Sequence, residues 1–190
     1  MEADWEVEVG GGAPIIDALW AGFVDLRRQP ERIGEIAEAG KFPALGGLLR
    51  RLNAPGSPVW TAKCDLWEPV EPGEEGNQTT AEDDLPVALA IYVDLLPSAG
   101  GVFLHWQQAE AFCREWVARL ARIAMDDCAV ELVVRQAFAG AVEGFGVTAY
   151  VSAEGHDRSG AAETLSCALA AFADAIPGTE HTERAASKLQ

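Results

Sequence analysis

The chain has 190 residues, 49% hydrophobic and 23% charged, which is enough apolar material for one sizeable core and too much for a disordered polymer. Asp and Glu number 30 against 14 Lys and Arg, and the resulting formal charge of −16 repels a phosphate backbone, which excludes nucleic acid as an expected partner. The opening Met1-Glu2-Ala3-Asp4 lacks the basic-then-apolar start of a secretory signal, and no run reaches the roughly 18 apolar residues of a membrane span, so a soluble, cytoplasmic protein without a membrane partner is expected.

Residues 4–9, Asp-Trp-Glu-Val-Glu-Val, alternate strictly, with Trp5, Val7 and Val9 on one side and acids on the other. That is a short amphipathic strand, suited to a sheet edge where exposed charge discourages further pairing. Gly10 to Gly12 break it, and no Lys-Ser/Thr follows to make a phosphate loop. Pro14 then fits a helix start, with Ile16, Leu19, Trp20, Phe23 and Val24 at helical spacing. Pro30 and Pro43 mark two further starts, the second carrying Leu45, Leu48, Leu49 and Leu52 before Asn53 and Pro55. Arg27, Arg28, Arg32, Lys41, Arg50 and Arg51 fall in this region and read as helix-surface cations.

From Pro58 the period changes to two. Trp60, Ala62, Cys64 and Leu66 point one way, and Thr61, Lys63, Asp65 and Trp67 the other. A second alternating run, Val87, Leu89, Ile91, Val93 and Leu95, has Ala88, Ala90, Tyr92 and Asp94 on its reverse side. The connection over 68–86 is rich in acids, Gly, Pro and Thr, and reads as a flexible loop. Glu82-Asp83-Asp84 within it lack the ligand spacing and turn glycine of a calcium loop.

After Gly100-Gly101, Val102 to Trp106 suggest a short strand, and a helix over 107–124 follows, with Phe112, Cys113, Trp116, Val117, Leu120 and Ile123 as its apolar stripe. Cys128 to Ser152 give the clearest signal in the chain. Val130, Leu132 and Val134 alternate before a Gly-bearing turn, and Phe145, Val147, Ala149 and Val151 alternate after it, which predicts an antiparallel hairpin with one buried face. A last helix, capped by Ser159, carries Leu165, Leu169, Phe172 and Ile176 and stops at Pro177-Gly178. Residues 179–190 read as a loose tail, and both 69–85 and 179–190 are expected to be dispensable for folding.

Collected, these elements predict a single α+β domain over 1–178: a largely antiparallel sheet of four or five strands, two later helices on one face, and a helical N-terminal segment. The order matches a β-α-β-β unit used twice, without a residue-level repeat. Doubled units of that kind recur in ligand-sensing domains of some bacterial regulators, an analogy of topology alone. If the helices cover the Val130 and Ile91 face, the reverse face carries Thr61, Lys63, Asp65, Trp67, Tyr92, Asp94, Glu131, Arg135, Thr148, Tyr150 and Ser152. Cross-strand ion pairs would make it a solvated surface on which Thr148 is cheap to truncate. Its tyrosines and Trp67 also suit a recognition surface, which the N-terminal helices would wall.

The candidate ligand- or partner-binding residues are therefore Lys63, Asp65, Trp67, Tyr92, Asp94, Glu131, Arg135 and Tyr150. Aromatic walls with carboxylates favour a cationic or flat amphipathic small molecule. Two other classes are compatible: an acidic inhibitor or immunity-like module that steers a basic protein partner, and an enzyme of unassigned reaction using His105 with nearby carboxylates. A homodimer through the sheet is also compatible. Cys64, Cys113, Cys128 and Cys167 are too widely spaced for a zinc or redox pair and read as small buried hydrophobes, so neither a metal nor a cofactor is expected.

Overall fold

The computed structural model describes residues 1–69 and 86–178. They form an α+β structure on one mixed sheet of six strands: β1 (Glu2–Val7), β2 (Ile16–Asp17), β3 (Val59–Trp67), β4 (Val87–Pro97), β5 (Cys128–Ala139) and β6 (Val142–Gly155). The order is β1-β5-β6-β4-β3, and β2 lies beside β5 beyond the end of β1. The helices are α1 (Ala37–Lys41), α2 (Pro43–Leu52), α3 (Trp106–Leu120) and α4 (Arg158–Asp174), with a 3-10 turn at Pro30–Glu35. The expected acidic loop falls mostly on 70–85, which together with 179–190 lies outside the described residues.

The β5–β6 hairpin forms where the alternation predicts it. Val130, Leu132 and Val134 stand opposite Val151, Ala149 and Val147, all buried, and Gly140 takes the positive φ of 66° that the connection requires. β3 and β4 make a second antiparallel hairpin, and β4 pairs antiparallel with β6. The sheet nevertheless departs from the expected antiparallel design, because β1 and β2 both run parallel to β5. Parallel neighbours need a long crossover, and the chain between β2 and β5 supplies one. β1 thus joins the β5–β6 hairpin and not β3 of its own half, so the two halves are not equivalent copies.

α2, α3 and α4 all cover one sheet face. Leu45, Leu48, Leu49 and Leu52 of α2 enter the same core as Trp116, Leu165, Phe172 and the inward strand residues. Arg51 of α2 pairs with Asp174 and donates to the Ala170 carbonyl at 3.4 Å, so α2 is tied to α4. The expectation that the N-terminal helices would wall the reverse face is therefore corrected: they lie with the later helices. The cap of α4 is Asp157 and not Ser159, its carboxylate accepting the Gly160 N–H at 2.8 Å. A Cβ on Gly155 would stand 2.1 Å from the Ala161 nitrogen, so glycine is what lets β6 turn directly under α4.

The helix expected to start at Pro14 does not form. Ile16 pairs with β5 opposite Ala137, and the Asp17 carboxylate accepts the Leu19 N–H at 3.1 Å, a local turn that competes with helix. Tertiary pairing overrides a spacing that satisfied the helical period. The segment crosses the open edge of β3 as a strap: Ile16 and Ala18 are buried on the reverse face and Leu26 in the main core. The Trp20 indole N–H donates to the Ala62 carbonyl at 3.0 Å, fastening the strap to that edge. Phe103 forms only an isolated bridge with Phe145 in place of the short strand expected over 102–106.

A bulge between Thr61 and Lys63 resets the alternation of β3. Before it, Trp60 and Ala62 belong to a small reverse-face cluster with Ile16, Ala18, Leu96, Val102 and Ala137. Thr61, expected on the reverse face, turns inward, where its hydroxyl accepts from Asn53 Nδ2 at 2.7 Å and its N–H donates to Asn53 Oδ1 at 3.1 Å. After the bulge, Cys64 and Leu66 pack toward the main core, and Lys63, Asp65 and Trp67 face outward as expected.

Candidate ligand cleft

The reverse face is neither a second full core nor an open solvated plane. At one end the strap packs down on Trp60, Leu96 and Ala137. Further along, between strap and sheet, lies a cleft of about 390 Å³. Its floor is Lys63, Tyr92, Asp94, Arg135, Thr148 and Tyr150, and its wall is Pro14 to Asp17 with Trp20. Strand register assembles the floor: Lys63 is opposite Asp94, Asp94 opposite Thr148, and Tyr92 opposite Tyr150, so three strands present polar groups side by side.

Asp94 is the most buried ionisable group among these, only 9% exposed. The Thr148 hydroxyl donates to its Oδ1 at 2.6 Å. Arg135 Nη1 donates in turn to Thr148 Oγ1 at 3.3 Å and to the Tyr150 hydroxyl at 3.0 Å, while Nε and Nη2 grip Glu8 Oε2 at 3.1 and 2.7 Å. Burial pushes the Asp94 carboxyl above the usual carboxylate range, although the Thr148 hydrogen bond and the Arg135 and Lys63 charges pull against it. Arg135 stays cationic: burial disfavours its charge, and the hydrogen bonds to Tyr150 and Glu8 more than offset that. Hydrogen bonding to Tyr92, then the Asp94 and Asp65 charges, raises the Lys63 pKa, and burial raises that of Tyr92. The Lys63 ammonium stands 5.9 Å from the ring centroids of both Trp20 and Tyr92.

Of the eight candidate residues, Lys63, Tyr92, Asp94, Arg135 and Tyr150 line this cleft. Trp67 lies beside it in an aromatic triad, its ring centroid 6.1 Å from Tyr92 and 6.2 Å from Tyr150. Asp65 instead lines a second cavity, of about 320 Å³ at the β3 edge, together with Glu35, Glu38 and Cys64. Glu131 is exposed beyond Tyr150 on β5 and does not line the cleft. Thr148, expected to be solvated, is buried to 1% and holds the network together. The strap residues and Glu8 were not among the candidates. Alternation in β1 hints at Glu8 by placing it on the face of Glu6, whereas nothing local in the strap signals a wall.

His105 is exposed before α3 on the helical side and does not line the cleft, so the expected combination with the sheet-face carboxylates is not assembled. The half-buried Cys64 thiol is pushed up to about 12, chiefly by burial and then by the charges of Glu38, Asp65 and Asp94, which leaves it a poor nucleophile. Cys113 and Cys128 are buried, but Cys167 is exposed, against expectation. Among the described residues no three His, Cys, Asp or Glu side chains converge as a metal ion would require, and no described helix is long and apolar enough to cross a membrane. Comparisons with protein-family models, curated proteins and solved structures give no significant match.

Proposed function

We propose that the chain is a binding domain whose ligand is a small molecule seated in the cleft between the strap and the sheet. The observation that carries this reading is the buried Asp94 carboxylate at the floor of a cleft that also collects an ammonium, a guanidinium and two phenols. Burying a carboxylate costs free energy that an apolar residue in the same place would not. A cleft of about 390 Å³ lies within the range of small-molecule sites, and Ile15 and Trp20 leave 52% and 39% of their surface exposed on its wall, available to apolar parts of a ligand. A second reading, a basic protein partner, draws on the exposed side of the Trp67 triad and the acids Asp65 and Glu131 around it.

Thermal-shift screening against cationic aromatics, anionic metabolites and common cofactors tests the first reading. A ligand at 100 times its Kd stabilises the native state by about 2.7 kcal/mol, a readily measured rise in Tm. Tyr92→Ala is expected to abolish that rise and Trp67→Ala to leave most of it. Loss with Trp67→Ala alone would place recognition on the outer triad and favour the protein-partner reading.

A further inference from the structure

The hydrogen-bond directions in the cleft restrict what it can hold. Arginine and lysine only donate. Thr148 and Tyr150 must therefore accept from Arg135, and each keeps its own O–H proton to give away. Thr148 gives its proton to Asp94. Tyr150 has no acceptor for its own among the described residues. Tyr92 is placed alike: the Lys63 ammonium stands 5.9 Å from its ring centroid, and its phenol proton has no acceptor among the described residues. Asp17, on the wall, has one carboxylate oxygen engaged by the Leu19 N–H. The floor thus offers three donors, the Lys63 ammonium and two phenol protons, around one deep acceptor, the free oxygen of Asp94.

We infer, resting on the small-molecule reading above, that the cleft takes an α-amino acid with an apolar side chain: its carboxylate on Lys63 and the tyrosine hydroxyls, its ammonium on Asp94, and its side chain against Ile15, Ile16 and Trp20. Spacing supports this. Lys63 and Asp94 are cross-strand partners, with Cβ atoms about 5 Å apart, a separation that suits a ligand whose cationic and anionic groups sit on adjacent carbons. A lone cation would meet Lys63, and a lone anion would meet Asp94, whereas a zwitterion answers both. Arg135 acts at one remove as a positioning residue, since its charge is already answered by Glu8 while its donors orient Thr148 and Tyr150.

The test is calorimetric titration of the intact chain with L-leucine and L-phenylalanine, beside N-acetyl-leucine, which lacks the ammonium, and leucinamide, which lacks the carboxylate. The free amino acid is expected to bind about tenfold or more tightly than either blocked form, because a site built around a hydrogen-bonding group discriminates strongly against its absence. Asp94→Asn should erase the penalty for N-acetylation and Lys63→Met the penalty for amidation, each leaving the other penalty in place. Equal binding of free and blocked forms overturns the inference, as does an absence of binding by either amino acid. If a different class from the thermal-shift screen binds and Tyr92→Ala abolishes it, the cleft stands and only the amino-acid assignment falls.

Discussion

Trp116→Ala is expected to lower stability by about 3–5 kcal/mol, the cost of deleting a large aromatic from a closed core. Trp116 is fully buried, stacks on Phe172 with ring centroids 4.2 Å apart, and donates its indole N–H to the Phe172 carbonyl at 3.1 Å. It is thus the principal clamp between α3 and α4. The substitution removes ring surface from Phe172 and Phe112, and it leaves the carbonyl near the end of α4 without that donor. Natural domains are stable by only about 5–15 kcal/mol, so much of the total disappears. Urea unfolding should show a lower midpoint with an unchanged slope. A loss below about 1 kcal/mol would mean that α3 and α4 do not share this core.

Thr148→Val should be damaging, at about 1–3 kcal/mol, although it preserves shape and replaces a reverse-face residue that alternation alone marks as solvated. Valine cannot give Asp94 its hydrogen bond or accept from Arg135, and both partners are sheltered from water. The deficit should depend on pH with a definite sign. Burial already raises the folded pKa of Asp94 above its unfolded value, so the ionised carboxylate weakens the native state as pH rises through the folded pKa. Removing the Thr148 bond, which lowers that pKa, raises it further. The difference between variant and wild type is therefore widest at neutral pH and narrows as acid protonates Asp94 in both. Guanidinium unfolding at several pH values reads this out, and a gap that widens toward acid would contradict it.

Local pattern reveals the parts of this molecule that obey one period without interruption. The β5–β6 hairpin, α2, α3 and the apolar stripe of α4 are legible because each buries a regular face, and so is the gathering of Tyr92, Asp94, Arg135 and Tyr150 on the other side of the sheet. Three features are not legible, each for a physical reason. The β3 bulge changes parity at one residue, so Thr61 and Trp60 exchange faces, and no composition signal accompanies it. The strap satisfies a helical period yet is pulled into pairing with β5 by a partner more than a hundred residues away. Thr148 is small and polar, and only its neighbours Asp94 and Arg135 make it structural. A cleft between strap and sheet needs both the strap and the parity change, so its polar floor could be read from alternation while its enclosure could not.

That enclosure is what separates a binding site from a surface, and Asp94→Asn tests it most directly. Asparagine keeps the shape and can still accept from Thr148, but it carries no charge to bury. If Asp94 is held in the cleft for a ligand at the expense of stability, the variant should melt at the same temperature as wild type or higher at neutral pH, and any ligand response seen with the screening set should be weakened. A variant that melts lower at neutral pH and responds to the same ligand as fully as wild type would show that Asp94 serves the fold alone, and that the cleft is not where recognition occurs.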